Sequence, residues 1–214
     1  MRRAAAVLVL CSALAAGSLA AQVPRFLSAD AGVSRVRFRS VVPGGGEVMT
    51  GVEAGVHVRA LLGAVSVEVA YGQGRLSADT GLATPRDLVN GSFFLALQPA
   101  SWLALKVGPH ARAYVATGGT ERWMLWESRA RADGAIIPGM LQVHAEGWLS
   151  LSSDVNVAPG AAGARGGEIG LTLRPPQSLV WARLGYAVDQ AKLKGGARTE
   201  TVEMVVLAVG VGGR

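Results

Sequence analysis

Residues 103–115 read LALKVGPHARAYV, and their order limits what this chain can fold into. Leu103, Leu105, Val107, Ala111, Ala113 and Val115 share one parity, while Lys106, Gly108, His110, Arg112 and Tyr114 share the other. A period of two puts the two sets on opposite faces of a β-strand. One face is oily, and the other carries charges that are costly to bury in a dry core. Such a strand belongs between an apolar and a polar medium. That leaves two architectures: a membrane barrel with lipid outside and a polar interior, or a water-soluble sheet with its oily face turned in. The first is favoured by the number of such strands and the breadth of their oily face.

The amino terminus points to export. Arg2 and Arg3 precede an apolar stretch at residues 4–16, and Ser18, Leu19 and Ala20 form a cleavage-like sequence. Cleavage near Ala20 or Ala21 divides the chain into a signal peptide, residues 1–21, and a single domain, residues 22–214. The one cysteine, Cys11, leaves with the signal, so no disulfide or cysteine-based metal site is expected in the mature chain. Loss of Arg2 and Arg3 lowers the formal charge from +6 to +4, a modest excess without a basic cluster; nucleic acid is not an expected partner. Past the signal no apolar run has the length of a membrane-spanning helix. The 29 glycines favour turns and curved sheet over helix.

Alternation recurs along the chain. Strands are expected at about residues 32–41, 49–62, 65–71, 89–97, 103–115, 121–131, 140–152, 168–174, 179–189 and 199–211. Short turns fall at residues 62–64, 98–101 and 174–178. Residues 43–47, 73–87, 154–167 and 191–197 are expected as longer or glycine-rich loops. Short turns at one end and longer loops at the other form the pattern of outer-membrane barrels. The count is about ten strands, or eight if two of the weaker segments merge.

The hairpins LALQPASWLALKVG and LTLRPPQSLVWARLGY carry the resemblance: the mature chain resembles a small bacterial outer-membrane β-barrel protein of the eight- to ten-stranded type. The resemblance implies an all-β, antiparallel, up-and-down transmembrane barrel in the outer membrane, with both termini periplasmic. It also implies outer-membrane lipid and the barrel-assembly machinery as partners, and leaves the oligomeric state unassigned. One departure is the carboxy-terminal sequence from Leu207 to Arg214, which lacks the terminal aromatic usual in such proteins.

Candidate lumen groups follow from parity. They are Arg35, Arg37, Arg39, Glu53, His57, Arg59, Glu68, Lys106, His110, Arg112, His144, Glu146 and Arg183. Arg35, Arg37 and Arg39 could form a functional basic stripe; the expectation is a lumen wall whose charges pair with glutamates of neighbouring strands. With Arg59, Arg112, Arg129, Arg131 and Arg183 they would make any narrow passage favour anions. No H-x-x-x-H or H-E-x-x-H spacing exists, and no catalytic, metal or cofactor site is assigned. His144 and Glu146, two residues apart on one face, would permit a glutamate-oriented imidazole. The expected role is structural, binding or narrow, porin-like transport. An outer-membrane lipid-modifying or proteolytic enzyme is the alternative from another class. A soluble periplasmic barrel carrying an apolar ligand, with the faces reversed, is the third.

Overall fold

The computed structural model describes residues 26–79 and 84–212; the expected signal peptide lies outside them. Ten strands follow in order: β1 Leu27–Val42, β2 Gly45–Leu62, β3 Val65–Ala78, β4 Arg86–Ala100, β5 Leu103–Ala116, β6 Gly119–Ile137, β7 Leu141–Val155, β8 Ala161–Leu173, β9 Val180–Leu193 and β10 Thr199–Gly212. Each pairs antiparallel with its neighbours in sequence, and β1 pairs with β10, closing the barrel. Starting at Arg39 and following paired residues once round the wall leads back to β1 at Leu27, twelve residues away. That stagger gives the strands the tilt of about 40° that barrel closure requires.

The oily parity lies outside. On β2 the outward set runs from Val52 to Leu62, which are 62% and 64% exposed, while Glu53, His57 and Arg59 on the same strand turn in. Eleven residues rise about 36 Å along a strand, or roughly 27 Å upright at this tilt, close to the apolar band of an outer-membrane barrel. Phe26 and Trp102 lie exposed at the end that holds both termini of the barrel. Parity alone left the choice of face open. Side-chain exposure decides it: Val52, Val56, Val58 and Leu62 face outward and Glu53 and Glu68 are buried, the opposite of the arrangement expected for carrying an apolar ligand.

Several strands outrun their sequence-based limits. β3 continues seven residues past Tyr71, to Ala78, β6 runs on through Asp133 and Gly134, and β8 begins at Ala161 in a stretch expected as loop. Several strand glycines, among them Gly166 in a stretch expected as loop, fill a packing role. A Cβ on Gly72 would sit 1.9 Å from Glu53 Oε1, one on Gly166 would sit 2.4 Å from the Trp148 indole, and one on Gly170 would sit 2.5 Å from the His144 ring. Large inward side chains lie over these positions; at Gly166 and Gly170 a backbone carbonyl also stands close, so only glycine fits there. Links at both ends are consequently short. Even residues 79–85 and 156–160, the sites of the two expected long loops, span only a few residues.

The interior has two layers. Near the end remote from the termini, Val36, Phe38, Met49, Leu76, Leu88, Tyr114, Trp123, Leu125 and Val202 are all buried and pack as one apolar cluster. Phe38 and Tyr114 lie ring to ring with centroids 4.9 Å apart. Below this plug the lumen is polar.

Candidate functional site

The polar layer is a single connected chain of ion pairs across the lumen. It begins at His110 on β5, whose Nδ1 is 2.9 Å from Glu127 Oε1 on β6. Glu127 accepts from Arg129 at 2.6 Å, and Arg129 reaches Glu146 on β7 at 3.2 Å. Lys106 then bridges Glu146 at 2.9 Å and Glu68 on β3 at 2.8 Å. Glu68 lies 3.5 Å from Arg59 and 3.9 Å from His57, both on β2. His57 Nδ1 is 2.9 Å from Asp30 on β1, and Asp30 is 3.8 Å from Arg183 on β9. The chain thus ties strands from opposite sides of the barrel. Strand alternation aims each group inward, and the stagger sets which of them meet.

Two further sets flank this chain. Arg112 pairs with Asp189 just below the plug and donates to Asn90 at 3.3 Å; Asn90 in turn donates to Glu53 at 3.0 and 3.1 Å. His144 Nε2 stands 3.0 Å from Glu168 on β8. The Arg129 guanidinium also lies 4.3 Å from the Phe94 ring centroid and 4.9 Å from that of Trp148, held between two aromatic faces. A cavity of about 230 Å³ remains beneath the plug, bounded by small residues such as Gly32, Gly55, Ala187 and Ala208 on one side and by His110, Arg112 and Trp148 on the other.

Ten of the thirteen residues named from sequence point into this lumen: Glu53, His57, Arg59, Glu68, Lys106, His110, Arg112, His144, Glu146 and Arg183. The remaining three do not, and this is a correction. Arg35, Arg37 and Arg39 are exposed on the outer face of β1, while Val36, Phe38 and Ser40 between them are buried. The cause is the apolar plug: at this end of the barrel the interior is the drier side, and parity takes the opposite meaning. Leu76 beside Arg75, Trp123 beside Arg122 and Leu193 beside Lys192 obey the same inversion. The pairing of His144 is also corrected, since its partner is Glu168 on the adjoining strand β8 rather than Glu146.

Sequence reasoning missed Glu127, Asp30, Asp189 and Glu168, the acids that complete the network. Glu127 and Glu168 carried a usable signal, because each shares parity with inward basic groups. Asp30 falls before the first expected strand at residues 32–41, and Asp189 at the end of the one at 179–189, where alternation gives little guide to its face. Among the described residues no three His, Cys, Asp or Glu side chains converge as a metal ion would need.

No protein-family model matches the chain, and no curated protein sequence does. Among solved structures, Neisserial surface protein A is similar at 12% identity, covering 86% of this chain and 96% of the other with a TM-score of 0.40. The translocator domain of the autotransporter NalP from Neisseria meningitidis is similar at 15% identity, over 98% and 96% of the two chains, with a TM-score of 0.43. An outer membrane channel from Pseudomonas putida F1 is similar at 8% identity, over 87% and 96%, with a TM-score of 0.46. These likenesses concern barrel architecture only. The chain has the form of a small outer-membrane β-barrel: ten antiparallel strands, closed, with an apolar wall and a polar interior.

Proposed function

We propose that this protein is an outer-membrane barrel with a shut lumen, whose role is structural or binding and exercised through its wall and rims. One observation supports this above the rest. The interior is crossed by a continuous ion-pair chain, from His110 to Arg183, and stoppered by the buried cluster around Phe38, Tyr114 and Trp123. A pore needs a continuous wet path, and a ten-stranded barrel filled in this way offers none. The anion-favouring passage expected from sequence loses its basis as well, since three of its arginines are on the outside and the inward ones are paired with acids. Both termini lie on the periplasmic side in this reading, after removal of residues 1–21.

Planar-bilayer recording tests the proposal. Purified protein should insert and migrate heat-modifiably on an SDS gel, yet give no steady conductance. Long-lived open channels from the unaltered protein would overturn it.

A hydrolytic reading has one observation in its favour. Ser92 lies directly across the β4–β5 ladder from His110, whose Nδ1 is set by Glu127. The order serine, imidazole, carboxylate is that of an activated nucleophile. Among the described residues, however, no hydrogen bond joins Ser92 to His110, and His110 is buried beneath the plug. If His110→Ala leaves ester and lipid hydrolysis at the level of the unaltered protein, that reading fails.

A further inference from the structure

We infer that the outward arginines of β1 form a binding site for phosphate-bearing lipid headgroups at the rim remote from the termini. This deepens the membrane reading above and rests on it.

Arg35, Arg37 and Arg39 occupy successive outward positions of one strand, so three guanidinium groups stand in a column with nothing between them but inward-facing residues. Only one has an acidic partner, and that one is distant: Arg37 lies 3.8 Å from Glu203 across the β10 ladder, with both side chains substantially exposed. The cross-strand neighbours on the same face are valines beside Arg35; beyond them stand Glu203 and two hydroxyls, of which that of Thr50 donates to Asp79. Thr50 is opposite Arg37 on β2, and Thr201 is opposite Arg39 on β10. Guanidinium forks flanked by hydroxyl donors are the groups that recognise phosphate oxygens.

The position of the column fixes what the phosphate belongs to. Going towards the rim, the outer face changes from apolar to polar over two pairs on three adjacent strands: Val33 gives way to Arg35 on β1, still opposite Val52 and Val205, and one pair further Thr50 on β2 and Glu203 on β10 stand opposite Arg37. Arginine is costly at the centre of a bilayer and tolerated at its interface, so this step marks the edge of the hydrocarbon. The column therefore begins where headgroups begin and extends away from the apolar wall. Among the described residues no corresponding outward column stands at the other end, where Phe26, Leu62 and Trp102 are exposed instead. The charge is thus confined to one leaflet. Among the described residues Glu203 is the one carboxylate paired with the column, so most of its counter-charge is left for the lipid to supply.

The test uses the folded full-length mature protein in phosphatidylcholine vesicles. These carry either a bisphosphorylated glucosamine-disaccharide lipid or its dephosphorylated form, and retention of the labelled lipid by the barrel is measured. Retention of the phosphorylated form is expected, weakening by about fivefold for each arginine lost and about a hundredfold in an Arg35→Ser, Arg37→Ser, Arg39→Ser triple variant. The triple variant should keep its heat-modifiable migration, since none of the three packs in the interior, and a triple change to lysine should restore most of the retention. Inorganic phosphate at the same phosphate concentration should not displace the lipid. The inference is overturned if the folded triple variant retains the lipid normally, if the two lipid forms are held alike, or if inorganic phosphate competes equally. Failure of the unaltered protein to enter phosphatidylcholine vesicles at all would overturn the membrane reading, and this inference with it.

Discussion

Lys106 is the residue on which the lumen network turns. Its ammonium group sits between two carboxylates, Glu68 and Glu146, and all three side chains are about nine-tenths buried. Removing it would leave two buried carboxylates facing each other with only Arg129 and Arg59 to offset them, and breaking a buried pair from one side costs about 3–5 kcal/mol. Lys106→Met is therefore expected to lower the free energy of unfolding, read by urea titration in lipid vesicles, by up to that amount. The triple change Lys106→Met, Glu68→Gln, Glu146→Gln should recover part of it, because the facing carboxylates are then neutral while Arg59 gives up its acid partner. Equal loss in single and triple variants would show that packing, not charge, sets the cost. From the sequence, Lys106, Glu68 and Glu146 were legible as inward groups. That they meet was not, since the partner of a lumen residue depends on the stagger of the whole barrel and not on neighbours in the chain. His144 illustrates the same limit: the glutamate two positions away was plausible by parity, and the one on the adjoining strand is the actual partner.

At the scale of a strand, β7 and β8 show large and small residues fitted to each other. Trp148 lies over Gly166 and His144 over Gly170, in both cases closer than any Cβ could stand. Gly166→Val is expected to destabilise the barrel by about 1–3 kcal/mol or more, from overpacking. Trp148→Ala in the same chain should relieve the part of that loss due to the indole, while the Val188 carbonyl, equally close at 2.4 Å, keeps the rest; the relief is read as non-additivity of the two unfolding free energies. Independent, additive effects would remove the packing explanation. This complementarity is also why part of the strand map was misread. Strands β2, β4, β5 and β7 alternate cleanly and were found close to their true limits. The glycine-rich run before Glu168 looked like a loop because glycine is the residue of turns. Its role here is to leave room for side chains that belong to another strand, a relation that one strand read alone does not contain. β1 erred differently: its alternation was read correctly and its faces were assigned backwards. The pattern Val36, Phe38 against Arg35, Arg37, Arg39 held the clue, because burying aromatic and aliphatic groups stabilises more than leaving them at a polar rim.

Over the whole molecule the plug and the ion-pair chain act in series, and each can be opened separately. Truncating the plug in a Phe38→Ala, Trp123→Ala double variant removes two large buried side chains at once. Brief or intermittent conductance is expected from it in planar bilayers, with the ion-pair chain still limiting the current. The lumen variant that neutralises Lys106, Glu68 and Glu146 should remain silent while the plug stands. A silent plug variant that still folds and inserts would mean that the polar layer alone is a sufficient seal.

The ladder that joins β1 to β10 runs unbroken from Ser28 with Gly212 to Val41 with Thr199, as long and as regular as the hairpin ladders. A ring of strands paired in this way has no privileged seam. Leu27 and Gly212 emerge side by side at one rim, near enough for a few residues to bridge, and links such as residues 43–44 or 156–160 lie at the opposite rim. A chain rewired to begin at β8 and end at β7, with its former ends spliced, would trace the same closed wall in a different order. The barrel is in this sense cyclic: its shape is encoded by who neighbours whom round the circle, and the point at which synthesis enters that circle is incidental to it.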